Sequence, residues 1–160
     1  MTQPRSNLEV QIETLNYRHA EEILNAHKPV KDEILAVVKK IQPGAATSGA
    51  ESLHSRILSE FIKLGWLGEV PIVETEQHEE RLDALKPPVG IEVTFNRHEM
   101  LYRDYMRFIK AESIGKIEVG VLITREVGTK SYEPSFVRVQ SQLAALRQTI
   151  TVPIWVIGLK

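Results

Sequence analysis

The sequence contains no cysteine, and only 6% of its 160 residues are aromatic. Without thiols there is no disulfide framework, thiolate zinc site, iron–sulfur cluster or cysteine nucleophile, and the composition suits a reducing interior. Long apolar runs are missing too. Nothing approaches the roughly 18–20 residues that span a bilayer, and the opening MTQPRSNLEV lacks the apolar stretch of a secretory signal. No membrane association is therefore expected. Internal repeats, low-complexity tracts and long Gly/Ser linkers are also absent, so residues 1–160 are expected to form one domain. Neither sign of charge dominates: 20 Lys and Arg face 21 Asp and Glu, for a net charge of −1. That balance excludes an indiscriminately basic nucleic-acid coat but says nothing about where the charges sit.

Along the chain the charges separate. Residues 66–95 carry 2 basic and 7 acidic groups, whereas 96–160 carry 10 basic and 6 acidic ones. The acidic run ETEQHEERLD at 74–83 abuts the basic half. A solvated acidic hairpin and a set of metal-binding carboxylates beside a polyanion-binding face both fit this pattern.

Periodicity predicts a short helix over His19–His27 and a second opened by Pro29, with Val30, Ile34, Val37, Val38 and Ile41 on one face. A third carries Leu53, Ile57, Phe61 and Leu64 and ends near Gly65-Trp66. Extended segments follow at Val70–Glu74, Glu80–Leu85 and Ile91–Asn96, the last two joined through Lys86-Pro87-Pro88-Val89-Gly90. A fourth helix turns Leu101, Tyr105, Phe108 and Ile109 inward, and Ile117–Thr124 reads as a buried strand. A fifth helix carries Phe136, Val139, Leu143 and Leu146 before a last strand at Val152–Leu159. Helices flanking a mixed central sheet make this an α/β protein.

The stretch RLDALKPPVGIEVTFN at 81–96 is the most informative. In a strand Glu92 and Thr94 share one face, opposite Ile91, Val93 and Phe95, and that face is expected to lie away from the core. Asp83 precedes Glu92 by nine residues across the Pro-Pro-Gly turn, so antiparallel pairing brings the two carboxylates together. Their repulsion is relieved by a shared proton or a cation, and oxygen ligands favour a hard ion, Mg²⁺ above all. Such an ion acidifies water and neutralises charge on a phosphodiester. An ordinary strand with a polar surface face also fits these residues.

The pattern D-x8-E-V-x-F, Asp83 to Phe95, resembles the active-site motif of BglII-type restriction endonucleases, a branch of the PD-(D/E)xK nuclease superfamily. Four further segments resemble that family in the same order: NYRHAEEILN at 16–25, EFIKLGW at 60–66, KIEVGVLIT at 116–124, and QSQL at 140–143 with VPIWVIGL at 152–159. The resemblance implies a restriction-endonuclease-like fold, with N-terminal helices over 16–42 and a catalytic core over about 49–159. It implies that Asp83, Glu92 and the Val93 carbonyl bind Mg²⁺, and that Glu60 on the third helix faces the metal through water. Pairing of Glu60 with Arg56 or Lys63 along the helix is the competing reading. Thr94 occupies the third motif position, a lysine in much of the superfamily. Its hydroxyl is suited to hydrogen-bonding the attacking water but is no strong base near neutral pH, which leaves the general base open.

For DNA contacts the resemblance points to Asn96, Arg97 and His98, directly after the catalytic strand, where Arg would read guanine and Asn adenine. Asn96 also fits a helix N-cap, with Glu99 three residues on. His98-Glu99 opens no zinc-protease motif, because position 102 is Tyr. Arg103, Arg107 and Lys110 form a stripe at helical spacing that is expected to be a solvated, salt-bridged face. The loop Gly128–Ser135 adds Lys130, Tyr132 and Ser135, with Arg138 following, as groove contacts or as a plain connection. The family resemblance further implies double-stranded DNA as substrate, a palindromic target centred on GATC, a homodimer, a cognate DNA methyltransferase and a prokaryotic cytoplasm. The second and fourth helices are the expected dimer interface, although their apolar faces fit monomer core equally well. Well-known members extend beyond the final strand, whereas this sequence stops at Lys160, implying a less complete grip on DNA or another specificity. A nuclease-fold DNA-binding protein without cleavage is the alternative, motivated by Thr94 and that short end. No Walker loop, Rossmann fingerprint or serine elbow supports an unrelated enzyme.

Overall fold

A computed structural model describes residues 12–45, 48–75 and 77–160. The acidic run at 74–83 and the loop at 44–49 therefore fall partly outside the described residues. The chain runs β1 (Ile12–Tyr17), α1 (Ala20–Ala26), α2 (Lys28–Ile41), α3 (Ala50–Lys63), β2 (Leu67–Glu74), β3 (Glu79–Lys86), β4 (Val89–Val93), α4 (Met100–Ser113), β5 (Val119–Arg125), α5 (Phe136–Ala145) and β6 (Ile154–Leu159). The six strands form one mixed sheet in the order β1-β6-β5-β4-β3-β2, parallel at β4·β5 and β5·β6 and antiparallel elsewhere. This is the expected α/β architecture, a central mixed sheet flanked by helices.

Every residue of β4, β5 and β6 is buried, as expected of parallel strands covered on both faces. On one face Ile91, Val93, Val121 and Ile123 pack with Leu24 of α1, Ile34 of α2, and Leu53, Ile57 and Phe61 of α3. On the other, Leu122 and Val156 pack with Leu101, Tyr105 and Phe108 of α4 and Val139 and Leu143 of α5. Each such side chain contributes about 1.5–3 kcal/mol by leaving water.

Two expectations need correction. Residues 16 and 17 belong to β1, not to an N-terminal helix, and α1 begins only at Ala20. The segment IETLNY lacks clean alternation, and edge pairing with β6 decides its conformation. The face of the segment that carries Glu92 of β4 and Thr94, the residue just past that strand, is not solvent-facing, because α4 covers it: Glu92 is 1% exposed and Thr94 6%.

The seating of α4 depends on Gly120. A Cβ there would stand 2.6 Å from the Phe108 ring, closer than real Cβ atoms approach their neighbours. Gly120→Ala is therefore expected to push α4 off β5 and destabilise the fold by about 1–3 kcal/mol, the range for overpacked cores. Chemical denaturation of the two proteins checks it, and unchanged stability would show that α4 seats otherwise.

Candidate active site

The ladder between β3 and β4 runs from Lys86↔Val89 through Leu85↔Gly90 to Ala84↔Ile91. One step further the strands part, and a side chain takes over from the backbone: the Val93 N–H donates to Asp83 Oδ2 at 2.8 Å. Continuing the register sets Asp83 beside Glu92, as the spacing predicts. On the far side of Asp83 the β2·β3 register passes Gly68↔Ala84 and Val70↔Leu82, which sets Glu69 opposite it, in a left-handed backbone conformation with φ 49°.

Three buried or half-buried carboxylates interact here. Burial opposes ionisation of Asp83, but hydrogen bonds from His54 and the Val93 amide hold its pKa below the ordinary value. The His54 Nε2 stands 3.4 Å from Asp83 Oδ2, and that contact raises the imidazole pKa. Burial, and then the charge of Asp83, push Glu92 well above the usual carboxylate range, so without a cation the pair retains a proton. Glu92 Oε1 is buried and has no hydrogen-bond partner among the described residues. Its Oε2 faces the Arg107 Nη1 at 3.6 Å. The third carboxylate, Asp104 of α4, is fully buried and accepts a hydrogen bond from the Thr94 hydroxyl. Burial raises it to about 7, against the opposing effect of that hydrogen bond.

Two open clefts flank the carboxylates. One, of about 100 Å³, is lined by His54, Val93, Thr94, Asn96 and Arg103 among others. The other, of about 250 Å³, is lined by Glu69, Glu79, Arg81, Leu82, Asp83 and Arg107.

The structure brings Asp83, Glu92, Val93 and Thr94 together. Glu60 lies elsewhere: its carboxylate pairs with Lys40 of α2 at 2.9 Å and with Lys63 at 3.0 Å, which lowers its pKa. On the same helix it is His54 that meets Asp83. Six residues of helix advance about 9 Å and rotate about 240°, so His54 and Glu60 serve different surfaces. The basic stripe on α4 is likewise not a separate solvated face. Arg107 faces Glu92, Arg103 lines the Thr94 cleft and Lys110 pairs with Glu80 of β3. Sequence reasoning missed His54, Glu69 and Asp104 as site residues. Helical spacing shows that Asp104 shares a turn with the inward-facing Leu101 and Tyr105, the one available signal. His54 and Glu69 carry none.

Asn96 does not cap α4, whose N-cap is Glu99; it is exposed beside Thr94 at the first cleft. The expected DNA-facing segments converge through Tyr132. The His98 N–H donates to the Tyr132 carbonyl at 2.9 Å, and the cations of Arg97 and Lys130 stand 5.9 and 5.6 Å from its ring. Ser135 is the N-cap of α5, accepting from the Arg138 amide at 3.3 Å, and Arg138 is exposed one turn in.

The model of the restriction endonuclease BglII/BglIII family matches residues 12–159. The chain belongs to this family. It is thus a type II restriction endonuclease, a hydrolase of DNA. Its fold is that of restriction endonuclease BglII complexed with a DNA 16-mer, with a TM-score of 0.78, 20% identity, and coverage of 94% of this chain and 78% of that one. Free BglII matches with a TM-score of 0.70 and 21% identity over 94% of this chain and 79% of that one. No curated protein sequence matches. Among the described residues, no helix is long and apolar enough to cross a membrane.

The raised groups make a pH prediction for the endonuclease. Glu92 and Asp104 keep their protons to higher pH in the folded chain than in the unfolded one, and His54 does the same. The folded state therefore binds more protons between about pH 4 and about pH 7, so its stability falls as pH rises through that window. The lowered Asp83 acts oppositely, but below its ordinary value of 3.8. The melting temperature in chelator is expected to drop from about pH 5 to about pH 8, and to drop less in Glu92→Gln. A flat profile in the unsubstituted protein would refute the assignment.

Proposed function

We propose that the chain is a Mg²⁺-dependent homodimeric endonuclease that hydrolyses one phosphodiester in each strand of a short DNA palindrome centred on GATC. The observation that carries this reading is the buried Glu92 Oε1, unpartnered among the described residues and set beside Asp83 where β3 and β4 part. That donor set fits a hard divalent cation: two carboxylates and the Val93 carbonyl would hold it. Mg²⁺ uses one or two carboxylates and keeps several waters, a demand that this pair and the carbonyl would meet. Such an ion supplies charge neutralisation at the phosphodiester and acidifies the attacking water.

The chain's own groups do the rest. Arg107 and Arg103, on either side of the carboxylates, attract the phosphate backbone and steer a strand into the clefts. The Thr94 hydroxyl orients the water. The ring of Tyr132 joins Arg97 and Lys130 into one cationic unit for reading DNA, with Asn96, His98 and Arg138 beside it. Ser135 contributes by fixing the start of α5. A palindrome calls for two-fold symmetry, and of the two helices expected at the dimer interface, α4 exposes Tyr102 and Met106 one turn apart, whereas α2 packs on α1 and α3. A methyltransferase of matching specificity would protect the host's own sites. The crystal structure of BglII with a DNA 16-mer supports double-stranded DNA as the substrate.

Incubation with unmethylated DNA of known sequence is expected to give discrete fragments with Mg²⁺ and none in chelator. Asp83→Ala and Glu92→Ala are each expected to abolish cleavage while thermal unfolding stays cooperative. Wild-type cleavage by either variant would overturn the metal-site reading. Sedimentation of the DNA-free chain as a monomer at micromolar concentration would count against the dimer.

A further inference from the structure

We propose that Asp104 is a positioning residue for cleavage: it accepts the hydrogen bond of the Thr94 hydroxyl, so that the Thr94 oxygen meets the attacking water as an acceptor only. The proposal rests on the endonuclease reading and concerns the position at which this chain departs from the lysine of the wider superfamily.

A threonine hydroxyl has one proton and two lone pairs. Here that proton is committed, because the Thr94 Oγ1 donates to Asp104 Oδ2. Asp104 is fully buried, one helical turn before Phe108, whose ring lies against Gly120 and fixes α4 on the sheet. Its partner is thus held by the core of the fold and not by a mobile surface group. Thr94 is fixed from the other side as well, its amide donating to the Ile123 carbonyl at 3.0 Å. The residue lines the cleft shared by His54, Asn96 and Arg103, immediately after the Val93 carbonyl. An oxygen with only lone pairs to offer accepts a hydrogen bond from the water and turns a water lone pair toward phosphorus. With its own proton free, the hydroxyl would instead donate to that lone pair and compete with attack. The second Asp104 oxygen, Oδ1, is buried and has no partner among the described residues.

The test is a double-mutant cycle on the full chain with Mg²⁺ and a DNA fragment that the unsubstituted protein cuts. Asp104→Asn keeps the shape but turns an amide donor toward Thr94, which frees the hydroxyl proton. It is expected to slow single-turnover cleavage on the order of 10²-fold, the scale of a misplaced reacting group, with DNA affinity in chelator within about twofold. Thr94→Val is expected to lose a similar factor, and the double variant to be no slower than the slower single. Thr94→Ser is expected to recover most of the loss seen in Thr94→Val. Cleavage by Asp104→Asn at the unsubstituted rate, multiplying losses in the double variant, or a loss confined to DNA affinity would each overturn the proposal. If Asp104→Asn does not fold, the Thr94 pair decides: an unimpaired Thr94→Val, or no recovery in Thr94→Ser, overturns it, and impairment with recovery supports it. Absence of cleavage by the unsubstituted chain would overturn the endonuclease reading itself, whereas cleavage by it alongside unaffected variants overturns the Asp104 assignment alone.

Discussion

Two carboxylates face each other where β3 and β4 part, beneath a helix that keeps water from one of them. Glu92 is nearly inaccessible, and burial and the charge of Asp83 disfavour its ionisation, a constraint that the surroundings answer. His54 stabilises the charge on Asp83 from the α3 side, and Arg107 approaches Glu92 from α4. The Val93 amide fixes the Asp83 carboxylate in place of a ladder bond. Asp104 adds a third acidic group, which makes the pocket still less tolerant of full ionisation. A site strained in this way favours a cation over a bare pair of charges.

The helix that buries the pair also lines the proposed site. α4 presents Asp104 and Arg107 inward one turn apart and leaves Arg103 at the cleft. It gets close enough because Gly120 on β5 leaves room for the Phe108 ring. Core packing and site assembly are therefore one problem: a small displacement of α4 would move the Arg107 cation and the Thr94 partner together. The edge of the site is set differently. Tyr132 ties the loop before α5 to the segment after β4 through a backbone hydrogen bond and two cation–π contacts, which joins the scaffold to the surface expected to meet DNA.

Much of this was legible beforehand because its signals are local. The apolar positions of α3 at Leu53, Ile57 and Phe61 and the continuous run of β5 gave their elements, and Asp83, Glu92 and Thr94 followed from strand alternation and a tight turn. Glu60 shows where locality fails. Its spacing along α3 fits a pair with Lys63, which forms, but the stronger competitor for its charge is Lys40 on another helix. Arg107 shows the converse: interspersed acids on α4 read as a solvated face, yet the helix turns that arginine against a carboxylate from β4.

By itself the sequence determined the order of the elements, the two carboxylates nine residues apart and the threonine two positions on, because the periods of strand and helix and the reach of a turn are properties of neighbouring residues. Only the tertiary structure decided that the polar face of β4 is roofed by α4, that His54 and not Glu60 meets Asp83, and that Asp104 receives the Thr94 hydroxyl. Those pairings depend on how layers stack across the sheet, and no spacing along the chain records which helix face a strand will meet.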